Sequence, residues 1–204
     1  MMTIMYHMRV SKQTQSEHRA AILEQAGRLF RAHGLAGTGV AEITRAAGLT
    51  HGGFYGHFES KSALAAEACR TVLLESAAHW RRRVARAKAR GADPIGAIID
   101  GYLTERHRDT PEDGCALACL GPEIARADDA LRVALDTGTV ALLTVLEGEI
   151  AAARPDRPAT DAALAVLSAM TGGLIVARAC AGDPDRSRAA LRSAAALARL
   201  AAEL

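Results

Sequence analysis

Between Val40 and Lys61 the chain reads VAEITRAAGLTHGGFYGHFESK, and this stretch restricts the fold more than any other. A short helix with inner residues Val40, Ile43 and Ala47 must stop at Gly48, because glycine accepts the left-handed backbone that ends helices. Gly48-Leu49-Thr50 then makes a tight turn. Leu49 is expected to bury beneath it, and Thr50 to cap a second short helix, His51 to Tyr55. Ser60 is the expected cap of a long helix starting at Lys61. Upstream, Thr14 and Glu17 have capping-box spacing, which predicts a first helix from about Thr14 or Ser16. Ile22, Ala26, Leu29, Phe30 and His33 recur along it at helical spacing, and Gly34 ends it. Thr38 is placed to cap the helix that follows.

The rest of the chain predicts more helices. Alanine is abundant, aromatics make up only 3% of residues, and β-branched runs are few, so an all-α fold is expected. The helix from Lys61 would run to about Arg90, roughly 40 Å at 1.5 Å per residue. Further helices are expected at about 94–107, 115–126, 128–153, 160–181 and 185–203, punctuated by Pro111, Pro155, Pro158 and Pro184. No strand pattern or internal repeat competes.

Charge and cysteines narrow the function classes. Residues 1–61 carry seven Lys/Arg and four acids, against a net charge of +2 for all 204 residues, and five of the seven histidines lie there. A mildly basic head on a near-neutral body fits contact with a polyanion through the head. The run RRRVARAKAR at 81–90 is better read as cations at the C-terminal end of a long helix, where they complement its dipole. Four scattered cysteines argue against a disulfide framework. The N-terminus lacks a signal-peptide pattern. The longest uncharged stretch, Ala162 to Ala177, has 16 residues and is read as too short to span a membrane. A cytoplasmic protein without a membrane partner is expected.

The chemistry-bearing residues cluster around the turn. Gly52 and Gly53 give the short helix little bulk, so its backbone can approach a groove wall. Phe54 and Phe58 are expected in the core, while Tyr55 and His57 present polar tips suited to phosphate oxygens. Lys61 sits badly for its own helix dipole, which a nearby phosphate would offset. Taken singly, these residues also fit an aromatic mini-core. Taken in order, Gly-Leu-Thr-x-Gly-x-Phe-Tyr-x-His-Phe-x-Ser-Lys is a specific pattern. Residues 16–64 resemble the DNA-binding domain of TetR-type transcriptional regulators, through Ile22, Ala26, Leu29, Phe30, Gly34, Thr38, Ile43, Ala47-Gly48, Thr50, Gly52, Tyr55, His57-Phe58, Lys61 and Leu64. The resemblance implies an all-α protein with a three-helix DNA-binding head on a helical body, a homodimer on a pseudo-palindromic double-stranded operator. It implies DNA contacts by Thr38, Thr50, Gly52, Tyr55, His57 and Lys61, with base-facing slots at Thr50, His51 and Gly53. The implied organisation is a flexible arm at 1–15, a helix-turn-helix domain at 16–62, and a ligand-binding and dimerisation domain at 63–204.

The body is less telling. His107-Arg108-x-x-x-Glu112-Asp113-Gly114-Cys115-Ala116-Leu117-Ala118-Cys119-Leu120 resembles one branch of these regulators in which a Gly-Cys pair opens a mid-body helix. Cys115 and Cys119, four apart on one helix face, are read as buried small hydrophobes, as pocket lining, or as a thiol sensor. Trp80 and Tyr102 either pack the core or wall a pocket. Trp80, Tyr102, His107, Cys115 and Cys119 form the candidate ligand set, in a mostly apolar pocket near the middle of the long helix. His107 with the two cysteines fits no compact zinc site, so no metal or cofactor is expected. No catalytic constellation occurs, so no enzyme is expected. Dimerisation is expected through about 160–203, with Leu191, Ala195 and Leu200 as a stripe. The leading reading is a repressor released by an unidentified small molecule. The alternatives are a redox- or electrophile-responsive regulator using Cys115 and Cys119, and an enzyme or small-molecule carrier with a vestigial head.

Overall fold

The computed structural model describes residues 12–124 and 126–203, apart from the side chain of His51. Among the described residues the elements are helical, in the order α1 (Lys12–Gly37), α2 (Val40–Ala46), a 3-10 turn (His51–Gly56), α3 (Lys61–Lys88), α4 (Pro94–Tyr102), α5 (Glu105–Asp109), a second 3-10 turn (Pro111–Asp113), α6 (Ala116–Ile124), α7 (Asp129–Ala153), α8 (Thr160–Ala179) and α9 (Pro184–Ala201). This is the all-α fold expected.

The local signals explain most boundaries. Ser60 caps α3 by accepting from the Ala63 amide at 3.0 Å. Asp93, Thr104, Asp128 and Asp183 cap α4, α5, α7 and α9 in the same way. Gly48 adopts φ 73° and turns the chain out of α2, as its lack of a Cβ allows. Four expectations need correction. The first helix starts by Lys12, inside the segment read as an arm, so Thr14 lies within it rather than at its start; residues 1–11 of that arm lie outside the described residues. The helical hydrogen bonding of α1 continues to Gly37, although Gly34 breaks its backbone at φ 78°. The expected helix at 94–107 is two, because Leu103 leaves helical geometry and Thr104 starts a new cap. The uncharged stretch at 162–177 belongs to a 20-residue helix, α8, long and apolar enough by length and composition to cross a membrane, with mean hydropathy 1.7. In this fold one face of it, Val166, Leu167, Met170 and Leu174, is buried in the body core.

Two cores meet along α3. The head core gathers Ile22, Ala26, Phe30, Ile43, Phe54, Phe58 and Leu64, and reaches into the body through Leu120 and Ile124 of α6 and Leu131 of α7. The body core runs from Leu73 and Trp80 of α3 through Ile98, Leu142, Leu146 and Leu174 to Leu191. α8 and α9 pack closely at Gly173, where a Cβ would stand 2.1 Å from that of Ala194. The expected stripe on α9 divides: Leu191 is buried in the body core, Ala195 is half-buried and Leu200 stays exposed, as does the neighbouring Leu197.

Candidate nucleic-acid interface and body cleft

The head presents its polar residues on a packed base. Phe54 is fully buried and Phe58 nearly so, their rings stacked with centroids 5.9 Å apart. Tyr55, edge-on to Phe54 at 5.1 Å, is 64% exposed. Thr50 and Gly52 are exposed, and Gly53, His57 and Lys61 are half-buried. A Cβ at Gly52 would meet nothing within 4 Å, so this side of the turn is open. Arg19 of α1 clamps Glu67 of α3 with two bonds of 2.5 and 2.6 Å and lies over the Phe58 ring at 4.6 Å. That bidentate pair raises the Arg19 pKa and lowers that of Glu67. It fixes the angle between α1 and the start of α3.

Desolvation, then the charges of His18 and Arg19, push the His57 pKa below its ordinary value. His57 therefore faces solvent neutral at neutral pH and gains a proton readily only beside an anion.

Two expected roles in the head change. The Thr38 side chain is fully buried, its hydroxyl donating to the carbonyls of Gly34 at 2.8 Å and Leu29 at 3.3 Å, so it reaches no phosphate. Gly39 takes the cap position of α2 without a side-chain bond. Thr50 makes no capping hydrogen bond either; the turn closes through the Gly53 amide on the Thr50 carbonyl at 3.0 Å. The expected base-facing role of His51 lies outside the described side chains.

A cleft of about 740 Å³ opens beside the second half of α3. Trp80, Tyr102, His107 and Cys115 from the expected ligand set all line it; Cys119 does not. The expectation of a mostly apolar pocket fails. Arg31, Arg82, Arg83, Arg106, Glu75, Asp100 and Asp113 share the wall with Val72, Trp80 and Leu142. Tyr102 stacks edge-on against both Trp80 (6.1 Å) and His107 (4.5 Å). Its hydroxyl is buried beside the Thr171 hydroxyl and Cys115. Burial, with Cys115 beside it, holds the Tyr102 phenol well above its ordinary range.

His107 is a strut. Nδ1 lies 2.7 Å from the Tyr102 carbonyl, and Nε2 accepts the Cys115 amide at 3.0 Å. This fixes the proton on Nδ1 and keeps the ring neutral, as does burial, which lowers its pKa. Cys119 lies beneath the same loop, its sulfur 3.2 Å from Arg178 Nη1. Burial raises the Cys119 thiol pKa, with Arg178 opposing, and pushes Cys69 up to about 12. Cys115 is buried. These are poor surroundings for thiolate chemistry.

Three arginines carry structure that no sequence motif announces. Arg178 of α8 donates to the carbonyls of His107 (2.9 Å) and Arg108 (3.1 Å). Arg31 of α1 donates through Nε (2.9 Å) and Nη2 to the Glu112 carbonyl. Arg28 pairs with Asp113, and the Leu35 amide donates to Glu123 at 2.9 Å. The 107–123 segment thus ties the head's first helix to the cleft and to α8.

Geometry of this kind defines a helix-turn-helix DNA-binding head mounted on an all-helical body. The comparisons agree. Residues 22–68 match the family described as bacterial regulatory proteins, tetR family. The chain is 46% identical over 59 residues to the HTH-type transcriptional regulator AcrR of Shigella flexneri, 29% of this chain and 27% of that protein. It is 36% identical over 93 residues to the HTH-type transcriptional regulator TtgR of Pseudomonas putida, 45% of this chain and 42% of that protein. The chain thus matches less than half the length of either relative. A TetR-family transcriptional regulator from Cytophaga hutchinsonii superposes with a TM-score of 0.68 at 26% identity, covering 94% of this chain and 96% of that one. Residues 22–68 are thus an N-terminal domain of the TetR-regulator type.

Proposed function

We propose that the chain is a cytoplasmic transcriptional repressor that binds a pseudo-palindromic operator as a homodimer and leaves it when a small molecule fills the body cleft. In this reading residues 16–62 are the DNA-binding unit and 63–204 the ligand-binding and dimerisation unit. One observation carries it most: Thr50, Gly52, Gly53, Tyr55, His57 and Lys61 lie around a single turn, on a buried aromatic base. The set is suited to phosphate, so it supplies affinity and register more than base reading.

The dimer reading rests on α8 and α9. Leu164, Ile175, Val176, Leu197 and Leu200 are exposed there, beside an apolar groove of about 730 Å³. Such a patch suits a self-complementary two-fold interface. Two heads would then address half-sites about 34–36 Å apart. A ligand that prefers one position of α3 shifts the heads; one that binds both positions equally shifts nothing. The burial of Cys115 and the raised thiol pKa of half-buried Cys119 favour this mechanism over a thiol switch.

Selection of binding sites from a random duplex pool by the purified chain tests the reading. Enrichment of a two-fold-symmetric site bound by two chains is expected. Enrichment of nothing, or of single-stranded species, would refute it.

A further inference from the structure

The cleft is not electrically balanced. Of its three acids, Asp100 is paired at 2.5 Å with Arg199, and Asp113 with Arg28; neither arginine lines the cleft. Glu75 is left to face Arg31, Arg82, Arg83 and Arg106. None of these four arginines has a carboxylate partner among the described residues. One wall residue also holds a buried donor without a partner: Nη1 of Arg31. An unmade bond on a buried donor costs free energy that a suitable acceptor would recover. Val72, Trp80 and Leu142 supply an apolar side of the same cleft.

From this juxtaposition we propose that the cleft binds an organic anion, a carboxylate or similar acid on an apolar or aromatic body, and that Arg31 of the head's own first helix reads the acidic group. The inference rests on the cleft being the effector site. It deepens that reading, because Arg31 already joins α1 to the Glu112 carbonyl. An anion on Nη1 competes for the orientation of a guanidinium that bridges head and body. Desolvation, which works against the Arg31 charge in the empty cleft, is relieved by an opposite charge. A neutral ligand of the same shape has no such gain, and a cation meets four arginines.

Trp80 is the only tryptophan in the chain and stands in the cleft wall, so its fluorescence reports occupancy directly. The full-length protein is titrated with 3-phenylpropionate, 3-phenylpropionamide and 3-phenylpropylamine, while a labelled duplex from the selected pool is followed by anisotropy. The acid should perturb Trp80 saturably at millimolar concentration or below, and bind at least about tenfold tighter than the amide, the worth of one charged hydrogen bond. Arg31→Met, which keeps the apolar stem, should remove that preference. Arg31→Lys, which keeps the charge, should retain most of it. Equal binding of the amide or amine, no response to the acid, or an unchanged preference in Arg31→Met would overturn the proposal. If the acid binds at Trp80 but the duplex stays bound, the anion site stands and release by ligand falls. If the amine alone binds and frees the duplex, release stands and the anion class falls.

Discussion

The helix-turn-helix turn and the body cleft are built in opposite ways. The turn rests on a closed base: Phe54 and Phe58 are buried and Arg19 holds Glu67, while Tyr55 stays exposed, edge-on to Phe54. The cleft is an open assembly in which Arg31 keeps an unfilled donor and paired acids leave arginines without a carboxylate. A surface that is structurally complete alone changes little when it meets its partner. A site with unmet hydrogen bonds is where occupancy can alter packing. The two are linked by α3, whose Lys61 end lies in the head and whose Trp80 lies in the cleft, and by the α1 contacts to 112–123.

The largest expected effect would break the base of the turn. Phe54→Ala removes a fully buried ring and should cost about 3–5 kcal/mol, seen as a large fall in melting temperature with loss of duplex binding. An unchanged melting curve would mean that the turn does not depend on that base. Next, Leu197→Glu with Leu200→Glu places two charges on the exposed face of α9. Sedimentation should show monomers with the far-ultraviolet helical signal retained, whereas a persistent dimer would place the interface elsewhere.

How far each region was legible follows from the same difference. The turn is local: Gly48, Phe54, Phe58 and Ser60 sit close together in the chain, and their spacing alone predicts their roles. Thr38 misled because a cap and a buried bridging hydroxyl look alike in sequence; only the approach of the Leu29 and Gly34 carbonyls distinguishes them. The cleft draws on Arg31, Arg83, Tyr102 and Cys115, spread over α1, α3, α4 and the start of α6. The aromatic members stood out by rarity. The arginines did not, because along α1 the periodic apolar residues mark the face toward the head core, and nothing in the spacing says that the flank of Arg28 and Arg31 meets the 112–113 loop.

Two smaller effects sharpen the account of the turn. Lys61→Ala should weaken all duplexes similarly and flatten the log–log salt dependence by about 0.9, the worth of one phosphate contact. His57, whose free-state pKa is lowered, should take up a proton when phosphate approaches. Its bound-state pKa then lies above its free-state pKa. Duplex affinity should rise as pH falls through the bound-state pKa, and level off below the free-state pKa. His57→Gln should remove that part of the pH dependence; an identical profile in the variant would exclude His57 as the group responsible.

The most direct test of the link between turn and cleft uses duplex DNA alone, with no ligand. Coupling between two sites is reciprocal, so DNA held at Tyr55 and Lys61 must alter the state of a cleft well along α3. Titrating the chain with a labelled selected duplex, while recording DNA anisotropy and Trp80 emission together, reads both ends at once. The account predicts that Trp80 emission shifts with the same midpoint as the anisotropy, and that the shift shrinks in Lys61→Ala in step with the lost binding. Tight duplex binding with Trp80 emission unchanged would contradict it.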